Sequence, residues 1–484
     1  MLRIASANVN GIRAAHRRGF GDWLATRGCD VIALQEVRAQ ASKLPDGAFG
    51  DFHVALETGT LPGRNGVAVL TRRPPVAVRT WSGAALLGAP DEALTSIPAE
   101  DRVPLARGLS RFVAEGRYLE VDLADAPVTI ACLYLPKGGL PDLVFALGDY
   151  IYEGGPGSST IRKHPHRLCT TLEDYRLRYA TYKTDPDLQE LHATAPWIVT
   201  WDDHEIQDNW AGVHPKNGVP TDAWMARRIA AQQAYYENMP LRRSSAPVGS
   251  SIQLFRRLHW GDLATFHVLD TRQYRDLQAC HDGGKTWWFT DCAEQEDPER
   301  TILGADQMQW LQDGMIEAGT TWQLLAQSVF FAKRDNAPGP TTTLGSDGWD
   351  GYRADRDQIV RTWDEHQVAT PVVLTGDVHV HFANELKADF WEPDSSTLGV
   401  ELVTTAVTSG GDGSDKAKGE DDVLAENPHI KYIKSRRGYV LSEYSTEELK
   451  VEYKTLDAVT VPGAEIQVDR TYVVPAGAPA LHQA

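Results

Sequence analysis

The sequence predicts an α/β fold built around a parallel or mixed sheet, and three short acidic motifs are the main reason. Each motif follows a run of apolar residues, DLVFAL, PWIVT or TPVVLT, that is typical of a buried strand. The motifs are GDYIYE at 148–153, WDDHE at 201–205 and GDVHVH at 376–381. Because open α/β sheets bind their ligands at the carboxyl ends of their strands, we expect the three motifs to meet at one sheet edge.

The composition is that of a globular protein with two or three domains. The chain has 484 residues, of which 42% are hydrophobic and 24% are charged. It has no apolar stretch of the ~20 residues that a membrane helix needs. Its N-terminus, MLRIASANVN, lacks the pattern of a signal peptide, so we expect a cytoplasmic location. Cys280 and Cys292 flank a loop, where they form either one disulfide bridge or two free thiols.

The charge is distributed unevenly along the chain. Residues 1–141 contain 16 basic and 14 acidic side chains, whereas the chain as a whole has a net charge of −18. The remainder is therefore strongly acidic, and such a surface repels the nucleic-acid backbone. We expect no nucleic-acid partner for the C-terminal part and at most weak DNA contact for the N-terminal segment.

The N-terminal elements place three polar residues near strand ends. A first strand leads to Asn8 in SANVNGIR, a helix-like HRRGFGDWLATRG follows, and a second strand, CDVIALQEVR, carries Glu36. The segments GRYLEVDL and APVTIACLYLP predict paired strands, with Tyr134 near the end of the second. An amide and a carboxylate at strand ends can bind Mg²⁺, but such residues are also common in turns and on surfaces.

Residues 1–141 resemble the first half of an exonuclease III-type apurinic endonuclease, with N-x-N-G-x-R, L-Q-E and L-Y-L-P in the expected order. The resemblance implies that Asn8, Glu36 and Tyr134 belong to a nuclease-like site, with Mg²⁺ at Glu36. The later Asp-x-Asn and the final Asp-His pair of that family do not follow in the right context. We therefore expect a truncated, incomplete αββα segment with little or no abasic-site cleavage.

From about residue 142 to the C-terminal tail, the chain resembles the alkaline phosphatase D (PhoD-like) family. Besides the three acidic motifs, the resemblance rests on VLDTRQYR, LGADQMQWL, WDGY, ELVTTAVTSGG and NPHIKYIKSRRGY, in family order. It implies a four-layer αββα sandwich of metallophosphatase type over residues 142–484. It also implies Fe³⁺ and Ca²⁺ as cofactors and phosphomonoesters or phosphodiesters as substrates.

The resemblance assigns a role to most residues of the three motifs. It implies a metal cage formed by Asp149, Tyr152, Asp203, Asp377 and His379. Asp149 would bridge two metals, and Tyr152 would supply a phenolate, a donor that suits Fe³⁺. His204 would stabilise the transition state or protonate the leaving group. Two metals in such a cage can clamp a phosphate and activate a water.

Three further residues have roles that the sequence leaves more open. Arg272 either binds a phosphate oxygen bidentately or pairs with one of many carboxylates. His381 shares the strand face of His379, and the sequence leaves open whether it belongs to the site. His164, in the loop-like KHPHR, is expected to be solvated.

The junction near Pro141 leaves both segments incomplete. The phosphatase family carries an upstream strand that ends in a metal-ligating Cys, but here the nuclease-like strand with Cys132 precedes DLVFAL. The few residues between these strands cannot make a parallel crossover, so we expect Cys132 to lie in a core. Three hypotheses remain: a phosphoesterase impaired by loss of the Cys ligand, a Mg²⁺-dependent DNA repair exonuclease or AP endonuclease, and a catalytically inactive fusion.

Overall fold

A computed structural model describes most of the chain. The described residues are 2–60, 63–90, 92–98, 109–134, 141–157, 161–164 and 166–484. The chain divides into two compact units, Met1–Leu140 and Pro141–Ala484. None of the helices in the described residues is long and apolar enough to cross a membrane.

The N-terminal unit contains nine strands and two short helices among its described residues. The strands are β1 Ile4–Asn8, β2 Val31–Gln35, β3 His53–Glu57, β4 Val67–Thr71, β5 Ala77–Thr80, β6 Ala84–Gly88, β7 Thr95–Pro98, β8 Tyr118–Asp122 and β9 Thr129–Leu133. The helices are α1 Ile12–Arg17 and α2 Phe20–Arg27, with 3₁₀ turns at Ala41–Lys43 and Leu109–Glu115.

These strands form two sheets, of six strands in the order β1-β2-β4-β3-β6-β7 and of three strands in the order β5-β8-β9. One core, including Val69 and Leu119, lies between the sheets, and a second core, including Leu24 and Leu34, lies between the larger sheet and the helices. Strand β9 alternates buried and exposed residues, and its outward-facing Leu133 is 43% exposed. In the part of this unit that the structure describes, the layers are helix, sheet and sheet, which confirms the predicted incomplete αββα arrangement.

The C-terminal unit is larger. Its strands are β10 Val144–Leu147, β11 Trp197–Thr200, β12 Arg256–Trp260, β13 Ala264–Val268, β14 Trp288–Thr290, β15 Trp322–Ala326, β16 Thr343–Gly345, β17 Pro371–Thr375, β18 His381–Lys387, β19 Thr397–Val403, β20 Ile430–Lys434, β21 Arg437–Tyr444, β22 Glu448–Leu456, β23 Ile466–Pro475 and β24 His482–Gln483. Its helices are α3 Leu172–Tyr182, α4 Pro186–Thr194, α5 Asp222–Asn238, α6 Ala305–Glu317, α7 Arg353–Glu365 and α8 Glu420–Glu426, with 3₁₀ turns at Arg243–Ser245, Ala293–Glu296 and Trp349–Tyr352.

The centre of this unit is a seven-stranded sheet in the order β12-β13-β15-β17-β19-β18-β20. Its middle strands are parallel and almost continuously apolar, because both faces are covered. Helices α6, α7 and α8 pack on one face through residues such as Leu311, Ile359 and Val423. The other face packs against the β21–β24 sheet and against the parallel pair β10–β11.

Helices α3 and α5 supply the fourth layer. Tyr179 of α3 and Tyr235 of α5 pack with Val199 of β11, on the face of the β10–β11 pair that points away from the central sheet. The predicted four-layer αββα sandwich is therefore confirmed. The three apolar runs of the sequence form β10, β11 and β17, so each acidic motif begins where one of these strands ends.

Four of the five cysteines occupy three different environments. Cys280 and Cys292 form a disulfide bridge, which answers the question that their spacing left open. Cys132 is buried between the two sheets of the N-terminal unit, where its thiol contacts the backbone carbonyl of Leu34. Cys169 is buried in the core beneath α3, and burial raises the pKa of its thiol to about 11.

Candidate metal centre

Strands β10 and β11 end side by side and bring two carboxylates together. They pair in parallel with Leu147 opposite Thr200, so Asp149 and Asp203 follow at the same edge. The turn after β10 requires glycine, because a Cβ on Gly148 would lie 2.4 Å from the Cβ of Asp202 and its φ is +113°. The backbone of Asp149 is itself left-handed, with φ +54°. Such strain in a residue other than glycine is typical of a functional site.

Tyr152 connects the first and third motifs. Its hydroxyl lies 2.9 Å from Asp149 Oδ2 and 2.8 Å from His379 Nε2, and that His379 nitrogen lies 3.7 Å from Asp149 Oδ2. Burial and the charge of Asp149 hold the pKa of Tyr152 well above its usual value. The structure thus places Asp149, Tyr152 and His379 in one cluster.

Asp203 and His204 complete a set of groups that could hold a cation. Asp149, Asp203 and His204 each offer a ligand atom, and these atoms lie within 4.8 Å of one another. Oδ1 of Asp149 and Oδ1 of Asp203 are buried and have no hydrogen-bond partner among the described residues. Buried carboxylate oxygens without a partner are costly, and a bound cation would satisfy both. The donor set therefore fits a metal ion.

His204 has a fixed orientation. Its Nδ1 lies 2.7 Å from Glu153 Oε2, and its ring lies 4.2 Å from the ring of Tyr152. Burial would lower the pKa of His204, but the carboxylates of Asp203, Asp149 and Glu153 together raise it well above its usual value. The imidazole is therefore oriented by the last residue of GDYIYE, to which the sequence analysis gave no role.

Asp377 lies in the same acidic group. It follows β17 through Gly376, whose N–H donates to the carbonyl of Ser328 at 2.8 Å. The φ of Asp377 is +62°, in the left-handed region. Burial, with the charges of Asp202 and Asp347, holds its pKa well above its usual value. All five predicted metal ligands thus belong to motifs that meet at one edge of the unit.

The surroundings of Arg272 do not suit the direct contact with phosphate that the sequence analysis considered. It is fully buried, and its Nε donates to Asp202 Oδ1 at 2.6 Å. Its two terminal nitrogens donate to the carboxylate of Asp347 at 2.9 and 2.8 Å. Because all three nitrogens already have carboxylate partners, this geometry favours a role in positioning acidic residues over direct contact with phosphate.

Two acidic residues that the sequence analysis did not assign support the centre. Glu205 accepts hydrogen bonds from the backbone N–H groups of Asp149 at 3.1 Å and Asp202 at 2.9 Å, and it thereby ties the ends of β10 and β11 together. Burial and the charge of Asp149 raise the pKa of Glu205 to about 8. Asp347 holds Arg272, and no spacing in the sequence singled it out. Glu205 is the last residue of the motif WDDHE, and its place in that motif was the only feature of the sequence that pointed to it.

Two histidines lie in cores. His381 is fully buried and its ring nitrogens face the backbone carbonyls of Val403 and Lys454, so it does not join the cluster. His164, expected to be solvated, is in fact only 3% exposed. It lies within hydrogen-bond distance of the Gly154 carbonyl and of the hydroxyl of Tyr182, the last residue of α3.

The N-terminal unit brings its three predicted residues to one edge as well. Asn8 lies opposite Gln35 in the β1–β2 register, one position before Glu36. Glu36 is buried and accepts hydrogen bonds from the Tyr134 hydroxyl at 2.5 Å and from Arg38 at 2.6 Å. Both carboxylate oxygens of Glu36 therefore have protein partners. Among the described residues of this unit, no group of three acidic, His or Cys side chains converges as in the C-terminal unit.

Two protein-family models match the chain, and their matches overlap. A model of the PhoD-like phosphatase family matches residues 136–453, and one of the endonuclease/exonuclease/phosphatase family matches residues 5–202. Alkaline phosphatase D of Bacillus subtilis (strain 168) is 44% identical over 337 residues, which are 69% of this chain and 57% of that protein. The chain thus spans little more than half the length of this curated relative.

Among solved structures, the match to PhoD is strong and the match to an AP endonuclease is weak. A structure of PhoD superposes with a TM-score of 0.69 at 33% identity, covering 92% of this chain and 87% of the other. An AP endonuclease from Archaeoglobus fulgidus is 18% identical over 49% of this chain and 69% of its own, but its TM-score of 0.20 supports no conclusion. The family match covers well over half of the chain, and the chain belongs to the PhoD-like phosphatase family.

Proposed function

We propose that the chain is a metal-dependent phosphoric ester hydrolase whose metal ligands are Asp149, Tyr152, Asp203, Asp377 and His379. The observation that carries the proposal is the pair of buried, unpartnered oxygens, Oδ1 of Asp149 and Oδ1 of Asp203, beside His204. Membership of the PhoD-like phosphatase family supports the same chemistry.

The donor set indicates which ions the centre would hold. A phenolate at Tyr152 suits Fe³⁺, and carboxylate oxygens suit Ca²⁺. No Cys is among the described residues that converge there, since Cys132 and Cys169 lie in cores. We therefore propose Fe³⁺ and Ca²⁺ as the ions, with iron held more weakly than it would be with a thiolate ligand.

The residues of the proposed centre then have distinct roles in the reaction. Bound metal would supply a Lewis acid that polarises the phosphoryl oxygen and activates water. Asp149 and Asp203 hold the charge that such ions require. Glu153 fixes His204 through Nδ1, and Nε2 is then the atom that can donate a proton to the leaving oxygen.

The experiment is hydrolysis of 4-nitrophenyl phosphate and bis(4-nitrophenyl) phosphate by the full chain after incubation with Fe³⁺ and Ca²⁺. We expect activity that falls on chelation and rises again when metal is added back. Hydrolysis that is unchanged by exhaustive chelation would contradict the proposal. The ratio of the two rates identifies the enzyme as mainly a monoesterase or a diesterase.

A second candidate function belongs to residues 1–141, which we propose are a remnant joined near Pro141 to the phosphatase domain at 142–484. The clustering of Asn8, Glu36 and Tyr134 favours a Mg²⁺-dependent exonuclease or AP endonuclease. Against it, Arg38 and Tyr134 occupy both oxygens of Glu36, the proposed Mg²⁺ ligand. We expect no more than trace cleavage of an abasic-site duplex in Mg²⁺. Robust cleavage that Glu36→Ala abolishes would establish this function instead, and failure of both assays would identify an inactive fusion.

A further inference from the structure

The side chain of Arg334 lies in a cage of aromatic rings in the C-terminal unit. Its guanidinium carbon is 4.5 Å from the centre of the Phe330 ring, 4.8 Å from that of Trp288 and 5.5 Å from that of Phe382. The faces of aromatic rings attract cations, so the cage stabilises the charge and fixes the direction of the guanidinium.

Arg334 lacks the acidic partner that Arg353 and Arg356, two other arginines over aromatic rings in this unit, have. Arg353 lies over Trp391 and pairs with Glu296 at 2.6 Å, and Arg356 lies over Phe390 and pairs with Asp350 at 2.6 Å. For Arg334, no carboxylate of the described residues is within ion-pair distance, and its Nε is buried without a hydrogen-bond partner. Burial accordingly lowers its pKa. A half-buried cation without an anion is costly unless a ligand supplies the negative charge.

The cage lies on the same side of the unit as the proposed metal centre. Phe330 follows β15 by a few residues, and the carbonyl of Ser328 in that segment accepts the N–H of Gly376, next to Asp377. Asp377 is the acidic residue whose charge acts most strongly on Arg334. The Ser328–Phe330 segment thus connects the cage to the Asp377 end of the centre.

Trp288 adds an apolar surface beside this cation. It lies on β14, in the segment closed by the Cys280–Cys292 disulfide, and 41% of its surface is exposed. The partner strand β16 has Gly345 opposite the ring, where a Cβ would lie 3.2 Å from a ring atom. The glycine therefore allows the ring to lie flat on the strand.

We propose that Arg334 and Trp288 form a second anion subsite beside the metal centre, for phosphate esters whose flat apolar alcohol carries a further anionic group. The further group is a carboxylate or a second phosphate, either of which pairs with a guanidinium through two hydrogen bonds. This inference rests on the proposed function, because it assigns a substrate class to the same centre. It identifies Arg334, in place of Arg272, as the arginine that contacts substrate.

The test is calorimetric titration of the metal-loaded full chain with benzylphosphonate and with 4-carboxybenzylphosphonate, neither of which is hydrolysed. We expect the carboxylated ligand to bind about 10- to 100-fold more tightly, the usual effect of one hydrogen bond to a charged group. Arg334→Gln should make the two affinities equal, and Arg334→Lys should keep part of the difference. The control is Arg176→Gln, which removes an arginine that is 52% exposed and pairs with Glu237 on the surface.

Each outcome distinguishes the subsite from the proposed function. Equal affinities in the wild type would overturn the subsite and leave the phosphatase proposal intact. An Arg334→Gln variant that loses affinity for both phosphonates to the same degree would show that Arg334 contacts the phosphonate itself, which also overturns the subsite. Binding of neither ligand would overturn both proposals. Unchanged metal content and urea midpoint in Arg334→Gln exclude misfolding as the cause.

Discussion

The carboxylate of the nuclease-like cluster and those of the proposed metal centre differ in their hydrogen bonding. In the N-terminal unit, Glu36 is buried and both of its oxygens accept hydrogen bonds, one from Tyr134 and one from Arg38. In the C-terminal unit, Asp149 and Asp203 are each left with a buried oxygen that has no partner. A site that awaits a cation retains unsatisfied acceptors, whereas an acidic residue satisfied by its own chain has no such requirement. The comparison favours metal binding at Asp149 and Asp203 over metal binding at Glu36.

The largest expected effect follows from removing one unpartnered carboxylate. Asp149→Asn should release metal and reduce phosphatase activity at least about 1,000-fold, because metal catalysis supplies several kcal/mol and each 1.36 kcal/mol is tenfold. Metal content and rate are measured on the same sample. The exposed Asp187, on α4, gives the matched control Asp187→Asn. An Asp149→Asn variant that keeps its metals would reverse the role we assign to this residue.

A smaller effect is expected at His204. His204→Ala should keep the metals and lose roughly 10²–10⁴ in rate, the range of general acid catalysis. The exposed His366 provides the control His366→Ala. Loss of metal in His204→Ala, measured by elemental analysis, would show instead that this imidazole is a ligand.

Glu153, which pairs with His204, should contribute less to the hydrolysis rate than His204 itself. Glu153→Gln removes the charge that orients the imidazole and should lower the rate about 10- to 100-fold, as changes in outer partners of a site usually do. It also removes a carboxylate that raises the pKa of His204, so the high-pH limb of the rate profile should move to lower pH. A pH–rate profile that is the same in Glu153→Gln would argue that His204 donates no proton.

The last prediction concerns the pH dependence of the stability of the N-terminal unit. Glu57 is buried, with Oε2 unpartnered, and burial raises its pKa from 4.5 to about 7. Because the folded-state pKa is the higher one, its stabilising contribution is complete below pH 4.5 and is lost as pH rises through about 7. Glu57→Gln should therefore stabilise this unit above pH 7, by at most about 3 kcal/mol.

The measurement is proteolysis of the N-terminal unit across urea concentrations at pH 5.5 and pH 8.5. Wild type should be less stable at the higher pH, and Glu57→Gln should show a smaller difference. The exposed Asp51, in the same unit, gives the control Asp51→Asn. Equal pH dependence in wild type and Glu57→Gln would show that Glu57 is not the group responsible.

The sequence predicted the architecture and the placement of the acidic motifs, because each depends on local pattern. The apolar runs before Asp149, Asp203 and Asp377 are strands, and their carboxyl ends meet because the strands share one sandwich. Local pattern could not reveal that Asp347 holds Arg272, since these residues are 75 positions apart. It also could not show that Arg272 is buried, because burial depends on how the elements pack.

Metal binding by the wild-type chain and by Tyr152→Phe tests the central claim most directly. After loading with Fe³⁺ and Ca²⁺, elemental analysis and the visible spectrum are recorded for both proteins. We predict bound iron in the wild type together with a visible phenolate-to-iron absorption band, and loss of that band in Tyr152→Phe. A wild type that retains no iron, or a band that persists in Tyr152→Phe, would contradict the assignment of this edge as the metal centre.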